Sequence, residues 1–285
     1  MGNALSSHPL VDMISFTGST SGGVTVGKKA LESVKHISLE LGGKSPYVIL
    51  PAKDHDYTEP IHLCFNSIFL NSGQTCTAFS RLLIPAEEKE TIEKQLAEIA
   101  KEYTVGSPES HEVKLGPVSS LQQYKKISEY IRKGMDEGAR LLLGGLPDSP
   151  DKGYYIKPTI FTDVKNDMTI AQDEIFGPVL CVITYRDEDD AISIANDVRY
   201  GLNAGVYGPK DKAIAMAHRT QAAMYTSMPA PVIRQLPSAA TRKAASAGKA
   251  AFTACSNLPS RRPSSIQENS LFPHRTSPSG AMLLS

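Results

Sequence analysis

One cysteine stands in a turn that could make it a nucleophile. Cys76 closes the run Gly73-Gln-Thr-Cys76, directly after the apolar segment Ile61–Leu70, whose spacing is helical. Glycine permits a sharp turn there, and such a turn brings backbone N–H groups close to the sulfur. Those groups lower the pKa of a thiol and can bind a developing oxyanion, as a cysteine nucleophile requires. Because most cysteines are inert core residues, Cys76 alone predicts catalysis only weakly.

A carboxylate in an apolar strand adds to that prediction. Glu40 lies near the end of the strand-like segment Lys35–Leu41, which runs into Gly42-Gly43. Burying a glutamate without a partner is costly, so such a residue usually has a function or a hidden partner. With an activatable thiol downstream, the function that fits is that of a general base.

A glycine- and serine-rich turn near the start of the chain could bind an anion. The run Gly18-Ser-Thr-Ser-Gly-Gly23 follows the strand-like segment Leu10–Thr17 and opens a helix predicted over about Ser21–Ser33. The free N–H groups of a helix start attract phosphate. The spacing differs from the Gly-x-Gly-x-x-Gly fingerprint of dinucleotide-binding folds, and alone it would usually be an ordinary strand-to-helix turn.

Taken together, these motifs resemble a known family. The matching blocks are Phe16-Thr-Gly-Ser-Thr20, Glu40-Leu-Gly-Gly-Lys44, Gly73-Gln-Thr-Cys76 and Glu174-Ile-Phe-Gly-Pro178. They are similar to the signature blocks of the NAD(P)-dependent aldehyde dehydrogenase superfamily, in the order that the family shows, over Gly2–Gln221. Each block alone is a weak signal, whereas four in register are specific.

The resemblance implies a set of roles. It makes Cys76 the nucleophile that attacks an aldehyde and Glu40 the base that activates water. The implied cofactor is NAD or NADP, and the implied substrate is a small-molecule aldehyde. The residues implied in cofactor binding are Gly18, Ser19, Thr20 and Gly23 at the pyrophosphate, Leu41 beside them, and Glu174 and Phe176 at the nicotinamide ribose and ring. Family members form homo-oligomers, and we expect that assembly to be compromised here.

Composition excludes several other classes. The chain has 285 residues, a formal net charge of zero and four cysteines, Cys64, Cys76, Cys181 and Cys255, without metal-site spacing. No basic patch indicates nucleic acid, and no apolar run approaches the roughly 20 residues of a membrane span. The N-terminus lacks the pattern of a signal peptide, so we expect a cytoplasmic protein with reduced thiols and no metal.

Strand and helix patterns alternate along most of the chain. Strands are predicted at Leu10–Thr17, Lys35–Leu41, Ser45–Leu50, Arg81–Ile84, Ala139–Leu143, Pro158–Phe161 and Val179–Tyr185. Helices are predicted at Gly2–His8, Ser21–Ser33, Ile61–Leu70, Glu87–Tyr103, Leu121–Gly138, Glu188–Asn196 and Asp211–Gln221. This alternation predicts an α/β fold, with a mostly parallel sheet and helices on both faces.

The domain prediction has three parts. Residues 1–41 are predicted to be the C-terminal remnant of a Rossmann-like dinucleotide-binding domain, and 42–221 a catalytic domain. From 222 to 285 periodicity disappears and Pro, Ser, Ala and Arg dominate, which predicts a disordered tail. Synonymous codons can be chosen for Gln235–Gln267 so that another reading frame encodes a segment resembling the family's closing block. We therefore expect a frameshift near Gln221–Thr226, and truncation of the family's earlier half.

Three functions remain open from the sequence. The first is a dehydrogenase that oxidises an aldehyde through a cysteine thiohemiacetal and thioester, with activity impaired by truncation. The second is an inactive fragment. The third is a cofactor-independent thiol esterase that uses Cys76 and Glu40, since thioester cleavage needs no hydride acceptor.

Overall fold

The computed structural model describes residues 2–228 and 232–235. The strands are β1 Met13–Thr17, β2 His36–Glu40, β3 Pro46–Ile49, β4 Arg81–Pro85, β5 Arg140–Leu143, β6 Thr159–Thr162, β7 Val179–Tyr185, β8 Asn203–Tyr207, β9 Met224–Met228 and β10 Val232–Gln235. The helices are α1 Gly2–Ser7, α2 Thr20–Leu31, α3 Thr58–Ile68, α4 Lys89–Ile99, α5 Leu121–Asp136, α6 Thr169–Gln172, α7 Glu188–Asn196 and α8 Lys210–Arg219. None of the helices in this part of the chain is long and apolar enough to cross a membrane.

Strands β1 and β2 form a small parallel sheet that places two motifs side by side. Met13 pairs with His36 at one end, and Thr17 pairs with Glu40 at the other. Helix α2 connects the two strands, as the crossover of a parallel pair requires. Parallel strands end at the same edge, so the turn that follows Thr17 lies beside Glu40.

The larger sheet has eight strands in the order β10-β9-β8-β3-β4-β7-β6-β5. Its central strands are parallel, while β5 pairs antiparallel with β6 and β10 pairs antiparallel with β9. The fold class predicted from the alternation of strands and helices is therefore confirmed.

Helices cover both faces of this sheet. Tyr47 and Ile49 of β3 lie in a buried cluster with side chains of α3 and α4. Val48, between them, lies in a second cluster with side chains of α7 and α8. A third cluster joins α5 to β6 and β7 through residues such as Ile127 and Phe161. Burial on both faces explains why these strands read as continuous apolar runs.

A fully buried arginine ties the centre of the sheet to a helix end. Arg81, at the start of β4, donates from Nε to the carbonyl of Lys44 at 3.0 Å. One terminal nitrogen donates to Asn166 Oδ1 at 3.0 Å and to the carbonyl of Ile194 at 2.9 Å. The other donates to the carbonyl of Ala195 at 2.8 Å. The guanidinium thus pairs carbonyls in the last turn of α7, which the helix itself leaves unsatisfied.

Three strands correct the predictions. Strand β8 was not predicted, because Asn203 and Gly205 have low strand propensity. Gly205 is needed there, since a Cβ at this position would lie 2.6 Å from the ring of Tyr47.

The prediction of a disordered tail from residue 222 is wrong for the first part of that tail. Strand β9 pairs with β8 and so continues the sheet, and β10 pairs with β9. Tyr225 of β9 is buried. The rest of the predicted tail lies outside the described residues, and the frameshift stays a prediction.

Candidate active site

The turn that carries the cysteine is strained. Helix α3 ends at Ile68, and the backbone then enters the left-handed region at Asn71 with φ 51°, Ser72 with φ 54° and Gly73 with φ 77°. Non-glycine residues in this region cost free energy, and they persist only where surrounding contacts hold them. The sequence predicted a sharp turn at Gly73, and the structure extends it two residues upstream.

Side chains hold this turn in place. Asn71 Nδ2 donates to the carbonyl of Gln74 and Gln74 Nε2 donates back to the carbonyl of Asn71, each at 3.2 Å. The Ser72 hydroxyl donates to the carbonyl of Gly116 at 2.8 Å, and Gln74 Oε1 accepts from the Ser119 N–H at 3.0 Å. These contacts anchor the turn to the loop that precedes α5, and they fix the backbone that leads to Cys76.

Cys76 is half-buried, whereas Cys64 and Cys181 are buried. Burial raises the pKa of the Cys76 thiol; its own N–H and that of Thr77 act in the opposite direction, and the carboxylates of Glu174 and Glu40 raise it further. The prediction that the turn lowers this pKa is therefore wrong in its net direction. The two N–H groups are present as predicted, but desolvation and two nearby negative charges outweigh them.

Glu40 lies at the end of β2 beside the glycine- and serine-rich turn. Its carbonyl accepts a hydrogen bond from the Gly18 N–H at 3.0 Å. The side chain is half-buried, less than the sequence predicted, and burial raises the pKa of its carboxyl group. A carboxyl group with a raised pKa is a better proton acceptor near neutral pH, as a general base requires.

Two glycines let the motif blocks meet. A Cβ at Gly43 would lie 2.5 Å from the carbonyl oxygen of Cys76, and a Cβ at Gly42 would overlap the carboxylate of Glu174. Only glycine permits this approach of the two backbones. The segment that follows Glu40 is therefore the surface on which the cysteine turn and the Glu174 side chain both lie.

Glu174 and Phe176 occupy a loop before β7. Glu174 Oε1 accepts from the Gly43 N–H at 3.2 Å. Burial raises the pKa of this carboxyl group, while the Gly43 N–H and the cations of Lys126, Lys44 and Arg199 oppose that rise. Phe176 has φ 61°, an uncommon conformation for a bulky residue and one that suggests a functional constraint.

Two residues of α5 that the sequence did not single out hold this loop. Gln123 Nε2 donates to the carbonyls of Ile175 at 3.0 Å and of Phe176 at 2.7 Å. Lys126 Nζ donates to the carbonyl of Glu174 at 3.1 Å. In the sequence they look like ordinary polar residues of an amphipathic helix. Only their spacing of three residues, which places both on one helix face, could have indicated a shared contact.

The turn at residues 18–23 has the features of a phosphate site. The Ser19 hydroxyl caps α2 by accepting from the Gly22 N–H at 3.2 Å. Thr20 Oγ1 is buried and has no hydrogen-bond partner within the described ranges. Gly23 packs on Leu41, because a Cβ there would lie 2.5 Å from the Leu41 side chain. A helix start with a spare hydroxyl fits a phosphate group.

An open groove of about 470 Å³ lies between α1 and α2. It is lined by Asn3, Ala4, Ser7, Thr25, Lys28, Lys29 and Glu32.

Comparison with known proteins identifies the class. The model of the aldehyde dehydrogenase family matches residues 1–258. A chain with this sheet, these blocks and this match belongs to the aldehyde dehydrogenase family. A putative aldehyde dehydrogenase of Staphylococcus saprophyticus is 50% identical over 210 residues, which are 73% of this chain and 44% of that relative. A putative aldehyde dehydrogenase of Staphylococcus aureus is 47% identical over 214 residues, 74% of this chain and 44% of that relative.

Solved structures give the same result. Aldehyde dehydrogenase C of Pseudomonas syringae, in complex with NAD+ and octanal, superposes with a TM-score of 0.77 at 37% identity, covering 81% of this chain and 48% of that one. An NAD-dependent aldehyde dehydrogenase of Sinorhizobium meliloti gives 0.78 at 32% identity, covering 85% and 48%. The chain thus spans less than half the length of the proteins that it matches.

Proposed function

We propose that this chain supplies the nucleophile, the base and the nicotinamide-side cofactor contacts for the NAD+-dependent oxidation of an aldehyde to a carboxylic acid. The observation that carries the proposal is the junction at Gly42-Gly43, against which the backbone of Cys76 and the carboxylate of Glu174 both pack. Glu40 lies two residues before that junction. Three groups from distant parts of the sequence therefore lie within one small region.

The first step is addition of the Cys76 thiolate to the carbonyl carbon of the aldehyde. The C–S bond forms as the carbonyl π bond breaks, and the negative charge moves to oxygen in a thiohemiacetal. The N–H groups of Cys76 and Thr77, which lie near the sulfur, are available to this oxyanion. Since burial raises the pKa of the Cys76 thiol, its proton must pass to a base. The two nearby carboxylates are those of Glu40 and Glu174, and we assign the role to Glu40 because its side chain is the less buried of the two.

The residues around the turn at 18–23 and around Glu174 fit a dinucleotide. Ser19, Thr20 and the start of α2 would hold its phosphates, and the ionised Glu174 carboxylate would accept hydrogen bonds from ribose hydroxyls. The chemistry that a nicotinamide held by these residues would supply is a hydride acceptor for the oxidation of the thiohemiacetal on Cys76 to a thioester. NAD+ is proposed because the matching structures from Pseudomonas syringae and Sinorhizobium meliloti are described with NAD+ or as NAD-dependent.

Glu40 completes the reaction by activating water. Its carboxylate removes a proton from a water molecule, the oxygen attacks the thioester carbon, and the C–S bond breaks to release the acid and the Cys76 thiolate. A raised pKa suits this role, since the proton gained can be released again near neutral pH. Turnover by this chain alone is expected to be slow, because it spans 44% of its relatives' length.

The test is NADH formation at 340 nm with the full 285-residue chain, NAD+ and octanal, at protein concentrations high enough to detect a single turnover. Cys76→Ala should abolish the signal. Cys64→Ala is the matched control, because that thiol is buried in the core away from the turn. Glu40→Gln should allow at most one equivalent of NADH, since the thioester would accumulate and be visible by mass spectrometry.

The two other functions give different results. A thiol esterase would release p-nitrophenol from p-nitrophenyl acetate in a Cys76-dependent manner but form no NADH. An inactive fragment would do neither. Either result, obtained with folded protein, would overturn the proposal.

A further inference from the structure

A row of polar side chains on one face of α5 contacts the segment that carries Glu174. Gln123 and Lys126 together donate to three consecutive carbonyls of that segment, those of residues 174, 175 and 176. One turn further along the helix, the Tyr130 hydroxyl donates to Asp173 Oδ2 at 3.2 Å. Steps of three and four residues place all three side chains on the same helix face. Four consecutive residues of the segment, 173 to 176, are therefore held from one side by α5.

Arg199, which lies between α7 and β8, holds the other oxygen of Asp173. One of its terminal nitrogens donates to Asp173 Oδ1 at 2.7 Å. The same nitrogen donates to the Tyr200 hydroxyl at 3.0 Å, and the guanidinium lies over the Tyr200 ring, 5.0 Å from its centre. Exposed ion pairs usually contribute little to stability, because two long side chains must become ordered. Here Tyr200 orders the arginine and Tyr130 orders the carboxylate, so this pair fixes the place of Asp173 in the fold.

Asp173 lies at the point where the chain leaves α6 and reaches Glu174. Its N–H closes α6 by donating to the carbonyl of Thr169 at 2.9 Å. The side chain of the next residue reaches across to another segment, where Glu174 Oε1 accepts from the Gly43 N–H at 3.2 Å. A Cβ at Gly42 would overlap the carboxyl group of Glu174, so that group fits closely against the backbone. A small shift of the loop would therefore separate Glu174 from its donor.

We propose that Asp173 is a positioning residue for Glu174. Because Tyr130 and Arg199 hold the Asp173 carboxylate, the start of the loop is fixed at the place from which the next side chain reaches its N–H donor. Gln123 fixes the far side of Glu174 through the carbonyls of residues 175 and 176. Supporting contacts of this kind hold a binding side chain within about 0.5 Å of its working position. The inference rests on the proposed function only in assigning Glu174 to the cofactor.

The test follows the Gly43 N–H in the full 285-residue chain without cofactor or substrate, so failure here is distinguishable from failure of turnover. Native-state hydrogen exchange, resolved to single amides by mass spectrometry with electron-transfer fragmentation, reports how often Glu174 leaves this N–H. Asp173→Ala removes the carboxylate, and Asp173→Glu supplies a carboxylate again on a longer side chain. Asp189→Ala is the control, because it breaks another ion pair, that of Asp189 with Arg219, between α7 and α8.

In Asp173→Ala the exchange rate of the Gly43 amide should rise about fivefold, the effect of losing an ordinary hydrogen bond, while amides of β4 and β7 exchange as in wild type. Asp189→Ala should leave the Gly43 rate unchanged, and Asp173→Glu should bring it back toward the wild-type rate. A folded Asp173→Ala that exchanges at Gly43 as Asp189→Ala does would overturn the proposal. So would an equal rise at Gly43, β4 and β7, since that pattern indicates a merely structural role.

A second variant keeps the proposal testable if Asp173→Ala does not fold. Tyr130→Phe combined with Arg199→Met removes both hydrogen-bond donors and leaves Asp173 in place. Arg132→Met, at an exposed position of α5, is the control for the loss of one positive charge. The double variant should again raise the exchange rate of the Gly43 amide about fivefold relative to that control. A Gly43 exchange rate equal to that of the control would overturn the proposal.

Discussion

Gly73 packs directly on the backbone of Gly177. A Cβ at Gly73 would overlap the carbonyl group of Gly177, and Gly73 has a φ of 77° that favours glycine in any case. The contact joins the cysteine turn to the loop that carries Glu174 and Phe176. Any side chain at position 73 would therefore push the Cys76 turn and the loop that carries Glu174 apart.

Gly73→Ala should consequently destabilise the protein by more than its backbone conformation alone requires. Gly138→Ala is a matched control, because Gly138 has a φ of 89° and open space where the Cβ would lie. We expect the control to cost about 1 kcal/mol of unfolding free energy, the penalty of a left-handed alanine. Gly73→Ala should cost clearly more in urea denaturation, and equal costs would show that the turn can move away from Gly177.

Much of this arrangement was predictable from the sequence, and the reason is chemical. Cys76 and Glu40 were identifiable because each lies near glycines, Gly73 in one case and Gly42-Gly43 in the other, whereas Glu174 was identified only through the resemblance of its block to a known family. The glycine pairs marked where segments meet, although not which segment meets which. The contact of Gly43 with Cys76, and that of Gly73 with Gly177, depend on strand order in the sheet, which local patterns do not encode.

Other features could not be predicted because they depend on tertiary surroundings. The pKa of Cys76 is raised rather than lowered, since its neighbours include two carboxylates from distant segments. Gln123 and Lys126 donate hydrogen bonds to backbone carbonyls of the Glu174 loop, although the amphipathic pattern of the helix predicts that both side chains are solvent-exposed. Strand β8 contains a glycine and an asparagine that local propensity assigns to a turn, but Tyr47 and Phe79 pack over that glycine.

Alkylation should distinguish the three described thiols. Cys76 is half-buried, whereas Cys64 and Cys181 are buried and burial raises the pKa of both. Brief treatment with iodoacetamide, mapped by mass spectrometry, should label Cys76 well before the other two. Equal labelling of the three would mean that the turn does not expose its sulfur.

The charge of Glu174 should slow that alkylation. Since this carboxylate raises the pKa of Cys76, Glu174→Gln should increase the thiolate fraction and the labelling rate at pH 8. Glu129→Gln, on the exposed face of α5, serves as the control and should label at the wild-type rate. A Glu174→Gln rate no higher than that of the control would contradict the proposed electrostatic contact.

Gln123→Ala should weaken the fold around Phe176. The carbonyls of Ile175 and Phe176 lose their donor. A buried polar group left unpaired lowers the free energy of unfolding by about 1–3 kcal/mol, and by less where water replaces the donor. Gln122→Ala, the exposed neighbour on the same helix, should change the unfolding free energy by less than about 0.5 kcal/mol. Urea denaturation of the two variants, side by side with wild type, measures the difference.

Glu174 should also make stability depend on pH. Its pKa is raised in the folded state above the ordinary 4.5, so the folded protein binds more protons than the unfolded chain above that pH. Its contribution is therefore fully present below pH 4.5 and is lost as pH rises through the folded pKa. Relative to wild type, Glu174→Gln should become more stable between pH 4.5 and pH 8. Unfolding free energies measured across this range would contradict the argument if the difference were constant or reversed.

The buried guanidinium of Arg81 has a consequence for the order of folding. It bonds to a carbonyl 113 positions further along the chain, and the bond from Gly43 to Glu174 spans 131 positions. Contacts between such distant residues form slowly, because a long loop must close before they contribute any free energy. During refolding, most secondary structure should therefore return before Cys76 acquires its native reactivity. The circular dichroism signal should then reach its final value earlier than the rate of Cys76 labelling measured by pulsed alkylation.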